Sequence, residues 1–226
     1  MLPRQMPRQA RVVAVGVPHH VTQRGNNRQD IFLLDEDRQF YLETLTGCCR
    51  RYRLTVLGYC LMTNHVHLVV VPHAPNALSQ ALGNTHQLHA QRFNRRYGRS
   101  GHAWQNRFFS CPLGPDRAVV ALAYADLNPV RSGMVGRAES WPWSSARAHL
   151  SQQDSTGLID LEACRRWCDL DGWGHVLATG GFTAEGALLR RATAIGRAYG
   201  DETFATQIAR ASRDLPPAER ANTASA

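Results

Sequence analysis

Apolar and polar positions change period several times along this chain, and each change predicts an element. Val12, Val13, Val15 and Val17, followed by His20-Val21-Thr22-Gln23-Arg24, predict a first strand over Arg11–Arg24, interrupted by Gly16 and Pro18. Gly25-Asn26-Asn27 closes it in a turn. Asp35 is placed as the N-cap of a helix from Glu36 to Tyr52, with Phe40, Leu42, Leu45 and Cys49 on its apolar side. Leu54–Leu61 reads as a second strand. Thr63-Asn64 then connects it tightly to a third, which carries Val66 and Leu68-Val69-Val70-Val71 and ends at Pro72, so the two form an antiparallel hairpin. A helix follows from Ser79 to Tyr97, with Leu78, Leu82, Leu88 and Phe93 as candidate core. The aromatic, β-prone run from His102 to Pro112 is assigned as a fourth strand. Pro115 and Asp116 open a helix that runs through Tyr124 to Asn128 and stops before Pro129.

These elements divide the chain into a flexible N-terminus (1–10), a main α/β domain (11–150), a helical, arginine-bearing extension (151–214) and a tail (215–226) with the composition of disorder. Composition adds a partner class. The 226 residues carry a formal charge of +8 and a pI near 9.7, and all 26 basic residues are arginine. Arginine forks onto phosphates and stacks on bases, so a polyanionic partner is expected, although a codon bias toward arginine would give the same count. The six cysteines lack a paired framework and read as reduced thiols in a cytoplasm. Cys164 and Cys168 share helical spacing but have no second zinc-type pair. Val12-Val13-Ala14-Val15 is too short for a signal-peptide core, and no stretch is long enough to span a bilayer, so no membrane partner is expected.

Candidate chemistry centres on His65-Val66-His67 at the entrance of the third strand. Alternation puts both imidazoles on one face, a ready-made pair of metal ligands that still needs a third ligand and a chemical partner. Read alone, the pair is equally two histidines at a strand end. Tyr124 and Asn128, four residues apart on a helix, share one face. Asn128 can offer a carbonyl oxygen to a hard cation, and Tyr124 a phenol oxygen to an electrophile. On that helix alone, a buried tyrosine and a polar helix end is the plainer reading.

Taken together and in order, several segments resemble one family over residues 6–150. These are His20-Val21-Thr22-Gln23-Arg24-Gly25-Asn26, Gly58-Tyr59-Cys60-Leu61-Met62 through His67, and Gly101-His102-Ala103-Trp104-Gln105-Asn106-Arg107-Phe108. Tyr124 through Asn128-Pro129-Val130-Arg131 and Trp141-Pro142-Trp143-Ser144-Ser145 complete the set. The chain resembles the REP-associated tyrosine transposases, relatives of the IS200/IS605 transposases in the HUH endonuclease group with a Y1 transposase domain. The resemblance implies an α/β (α+β) fold with a ferredoxin-like central antiparallel sheet and packed helices. It implies His65 and His67 as metal ligands, Asn128 as a third ligand and Tyr124 as the nucleophile. Many relatives carry proline where this chain has Thr63, so a less rigid turn is expected here.

The activity implied is nicking and rejoining of single-stranded DNA at REP-type palindromic hairpins through a 5′-phosphotyrosine intermediate, assisted by Mg²⁺ or Mn²⁺, with zinc also tolerated by two imidazoles. Two other readings stay open: a non-catalytic hairpin-binding protein with a vestigial site, and a metal-dependent hydrolase that activates water. Candidate DNA contacts are Arg24, Asn26, Asn27 and Arg28 after the first strand, Arg95, Arg96 and Arg99 at the end of the second helix, and Trp104 and Arg107 beyond it. A monomer using Tyr124 in cis is expected, with a dimer that exchanges the tyrosine helix as the alternative.

Overall fold

The structure, a computed structural model, describes residues 12–214. The expectations for residues 1–11 and 215–226 fall outside the described residues. Four strands, β1 (His19–Arg24), β2 (Leu54–Leu61), β3 (His65–Pro72) and β4 (Phe109–Pro112), form one antiparallel sheet in the order β2-β3-β1-β4. Helix α1 (Asp35–Tyr52) joins β1 to β2, and α2 (Ala77–Arg96) joins β3 to β4. This βαββαβ connectivity with that strand order is the ferredoxin-like arrangement. Met62 N–H donates to the His65 carbonyl at 2.9 Å, which leaves Thr63-Asn64 as the two turn residues of the β2–β3 hairpin, as their spacing predicts.

Strand alternation divides the interior into two layers. Val66, Leu68 and Val70 of β3, with Val21 of β1, face α1 and α2. Val69 and Val71, with Cys111 of β4, face a second layer formed by α3 (Ala118–Asp126) and the helices after it. The later helices are α4 (Asn128–Arg131), α5 (Ala146–Ser151), α6 (Leu161–Arg165), α7 (Trp173–Ala178), α8 (Thr183–Ile195) and α9 (Glu202–Asp214). Ala163, Cys164, Trp173, Leu177 and Leu189 share the core that covers α3, so the C-terminal helices pack directly on the sheet layer. The outer edge of β2 is covered too: Leu61 N–H donates to Trp143 O at 2.8 Å, and Ser145 N–H to Tyr59 O at 2.9 Å.

Five expectations are corrected. The first strand begins only at His19, because the backbone turns at Gly16 (φ +76°), where its N–H reaches the Pro72 carbonyl at 2.8 Å. Asp35 lies inside α1; Asp37 reaches back instead and accepts from Leu33 N and Leu34 N, both at 3.0 Å. Leu88 is exposed, because the inward face of α2 is taken by His86 and His89 packed on Tyr41 and Trp104. The fourth strand is confined to Phe109–Pro112: residues 102–108 form a loop in which Asn106 adopts φ +56° and Trp104 turns into the core. The tyrosine helix does stop before Pro129, but at Asp126 and not at Asn128, so Tyr124 and Asn128 lie on different helices and do not share one helix face. It breaks at Leu127 (φ −85°, ψ −2°), and Pro129 then sits in the first turn of α4, where a missing N–H costs nothing.

Candidate active site

Odd-numbered positions of β3 face α3, so His65 and His67 point into the layer that carries Tyr124. The ring centroids of His65 and His67 lie 5.0 Å apart, and those of His67 and Tyr124 5.3 Å apart. His20, on the neighbouring strand, joins the group: its ring is 5.3 Å from His67 and 5.9 Å from Tyr124. Sequence reading placed His20 only as a strand residue. Its signal was a histidine on the same strand face as Thr22, whose register partner is His67.

Two glycines allow this approach. A Cβ at Gly58 of β2 would sit 2.6 Å from Leu122 Cδ2, so the sheet has a bare spot where α3 settles. A Cβ at Gly186 of α8 would sit 2.9 Å from Tyr124 Cδ2, so α8 lies directly against the tyrosine ring. Arg131 completes the mount, with its guanidinium carbon 4.1 Å from the Tyr124 ring centroid and its Nη2 donating to the Tyr124 carbonyl. The bottom of α3 is fixed by Asp126, which accepts from Ser145 Oγ at 2.8 Å, His149 Nδ1 at 2.7 Å and Trp173 Nε1 at 2.9 Å.

Burial dominates the electrostatics of the histidines. It lowers the His65 pKa to about 4, with Arg24 adding repulsion, and it lowers His67 well below its ordinary value, helped by the charges of His65 and His20. Both rings are therefore neutral near pH 7, the state in which imidazole donates a lone pair to a metal. The tautomer of His65 follows from its neighbours. Asn64 donates its amide N–H to the Arg28 carbonyl at 3.1 Å, so its Oδ1 is turned to His65 Nδ1 at 2.7 Å. That oxygen has no proton to give, so Nδ1 carries the hydrogen and Nε2 keeps its lone pair.

Two neutral imidazoles on one face of β3 form a donor pair suited to a divalent ion. Asn128 is buried at the start of α4. No group of three His, Cys, Asp or Glu side chains suited to a metal occurs among the described residues.

The expected DNA contacts divide. Arg24, whose strand partner is His65, is exposed and held by Gln105 Oε1 at 3.1 Å; Asn27 and Arg28 are exposed with φ of 51° and 60°, and Asn26 joins the turn through Ala103 O at 2.8 Å. These four ring the histidine end of the sheet. Arg95 is exposed at the end of α2, whereas Arg96 pairs with Glu36 and Asp37, each at 3.7 Å, and Arg99 with Gln29. Trp104 corrects the expectation of a stacking platform: it is buried, and its Nε1 donates to His86 O at 2.9 Å. Arg107 borders a groove of about 970 Å³ that also takes in Asn26, Gln105 and Asn106 on one side and Ala194, Arg197 and Ile208 on the other.

Comparison with known proteins agrees with this fold. Residues 15–126 match the family model described as IS200-like transposase. The chain is similar to the solved structure of a REP-associated tyrosine transposase bound to a REP hairpin, with TM-score 0.55 and 19% identity, covering 73% of this chain and 92% of that one. It is also similar to a Deinococcus radiodurans protein assigned as a transposase, with TM-score 0.37 and 15% identity, covering 56% of this chain and 97% of the other. No curated protein matches.

Proposed function

Since the chain belongs, through residues 15–126, to the IS200-like transposases, we propose that it nicks and rejoins single-stranded DNA with Tyr124 as the nucleophile. A divalent ion, Mg²⁺ or Mn²⁺, is held in this reading by His65, His67 and Asn128. The observation that carries it is the placement of the Tyr124 ring 5.3 Å from His67, across the gap between helix α3 and strand β3.

The ion, when bound, neutralises charge developing on the non-bridging oxygens of the scissile phosphate. In this reading His65 and His67 would present their Nε2 lone pairs to the ion, and Asn128 its amide oxygen. Arg131 holds the Tyr124 ring and places a positive charge beside the phenol, which loses its proton to water as it attacks. The Tyr124 oxygen bonds to phosphorus in line, the bond from phosphorus to the 3′-oxygen breaks, and that oxygen takes up a proton to leave as a free 3′-OH. The 5′-phosphate stays on Tyr124 as a diester, so a 3′-OH can return and rejoin the strand without ATP.

The substrate proposed is a palindromic hairpin of the REP type, read by Arg24, Asn26, Asn27 and Arg28 at the rim with help from Arg95 and Arg107. The similar structure that holds a REP hairpin supports this choice of ligand. Tyr124 and His67 meet within one chain, which supports action in cis by a monomer. No helix among the described residues is long and apolar enough to cross a membrane, and a cytoplasmic site of action is proposed with the DNA partner.

Hairpin oligonucleotides labelled at either end, incubated with Mn²⁺, test the reading. A protein-linked product should form with the 3′-side fragment and vanish in Tyr124→Phe. Cleavage that persists in Tyr124→Phe contradicts it and points to water as the nucleophile; binding without cleavage by the native chain points to a vestigial site.

A further inference from the structure

His67 has two ring nitrogens, and only one arrangement of its proton leaves Nε2 free to bind a metal. Its Nδ1 faces His20 Nε2 at 3.1 Å, with the two rings within 15° of parallel. The other nitrogen of His20, Nδ1, faces Thr193 Oγ1 of α8 at 2.7 Å. Thr193 in turn lies 2.8 Å from the Leu189 carbonyl, one helical turn earlier. All of these groups are buried, with Thr193 and His20 each 1% exposed.

The polarity of this chain follows from proton counting. A carbonyl has no hydrogen, so the short oxygen–oxygen approach to Leu189 requires the one Thr193 hydroxyl proton to point there. Thr193 Oγ1 is then an acceptor, and the proton between it and His20 belongs to His20 Nδ1. Cys111 Sγ, 3.2 Å from the same oxygen, fits the second lone pair as an S–H donor. With Nδ1 protonated, neutral His20 has a bare Nε2, so the proton between the two histidines belongs to His67 Nδ1. Its Nε2 is left with a lone pair and no hydrogen-bond partner among the described residues.

We propose that Thr193 and His20 are positioning residues that set the tautomer and ring orientation of His67, so that helix α8, beyond the segment matched by the family, is part of the nicking site. Thr193 touches neither the reacting atoms nor a metal; it acts through His20. The same helix gives way to the Tyr124 ring at Gly186, so one element sets both the ligand and the room for the nucleophile. The metal part of this inference rests on the proposed function, whereas the tautomer part does not.

Long-range proton–nitrogen NMR of the metal-free protein at neutral pH reads each histidine tautomer directly. The native chain should show His67 with Nδ1 protonated and Nε2 bare. Thr193→Val should turn His67 into a tautomer mixture and weaken Mn²⁺ binding, measured by calorimetry, by about 10-fold to 100-fold. Thr193→Ser keeps the hydroxyl and should restore both readouts. A native His67 protonated at Nε2, or a Thr193→Val protein with unchanged tautomer and Mn²⁺ affinity, overturns the proposal; the native spectrum decides it even where Thr193→Val does not fold. The predicted native tautomer combined with no Mn²⁺ binding would retain the relay and reject the metal reading.

Discussion

At residue scale, His149 donates from both ring nitrogens, to Asp126 Oδ2 at 2.7 Å and to the Leu57 carbonyl at 2.8 Å, which requires the imidazolium form. Burial lowers its pKa, but the charge and hydrogen bond of Asp126 outweigh that effect and the net shift is upward. A raised folded pKa contributes stability that is complete below the unfolded value near 6.5 and is lost as pH rises through the folded value. The buried His19, His20 and His89 and the half-buried His65, all neutral, act in the opposite sense. Burial lowers them to about 4, 3, 4 and 4, so their contribution is present above 6.5 and is lost on acidification. His149→Gln leaves Asp126 buried without its cation and should destabilise the fold by about 3–5 kcal/mol. Urea midpoints from pH 6 to pH 9 should show a wider gap between native and variant at the acid end. A gap independent of pH would show that the pair is not ionised as described. Neither Asp126 nor His149 was singled out from sequence, because a lone acid in an alanine-rich helix and a histidine 23 residues on acquire meaning only when the helices pack.

At element scale, helix α3 carries Tyr124, and its seat on the sheet is close. Gly58→Ala would put a methyl 2.6 Å from Leu122 Cδ2 and 3.1 Å from both His149 Cε1 and Ser145 Oγ. Such overpacking costs about 1–3 kcal/mol. Leu122 lies two residues before Tyr124, so the variant should also lose cleavage rate under conditions where it remains folded. Urea unfolding and single-turnover cleavage measured side by side check this, and a stable variant with native rate would contradict the close seat. The β2–β3 hairpin and its histidine face were legible because period-2 alternation and a two-residue turn are local signals. The fourth strand was not, since the aromatic residues that suggested it serve the core from a loop, and Trp104 needed His86, 18 residues earlier, to explain it. Asn128 misled for a related reason: a residue before a proline can end one helix or begin the next, and only the break at Leu127 puts it in the second.

At the scale of the whole molecule, the positive charge collects where the histidines open to solvent. Arg24 pairs in register with His65, Arg28 lies in the adjoining turn, and Arg190 of α8 and Arg131 both act on His67 through space. Phosphate neutralisation by such residues makes single-strand affinity fall with salt, with a log–log slope of roughly −0.7 per neutralised phosphate. Arg24→Ala should weaken hairpin binding and reduce the slope by about that one increment, as read by fluorescence anisotropy across a salt series. An unchanged slope would remove Arg24 from the interface. The arginine-only basic composition announced a polyanion but not its location, and the role of α8 was invisible because Thr193 meets His20 across 173 residues. What joins these levels is the proposed covalent bond between DNA and one named side chain. The most direct measurement is mass spectrometry of a tryptic digest after a hairpin oligonucleotide has been trapped with Mn²⁺. The segment between Arg117 and Arg131 holds a single tyrosine, Tyr124, and this peptide should carry the 5′-phosphonucleotide mass. An adduct mapped to any other peptide, or cleavage with no adducted peptide at all, would contradict it.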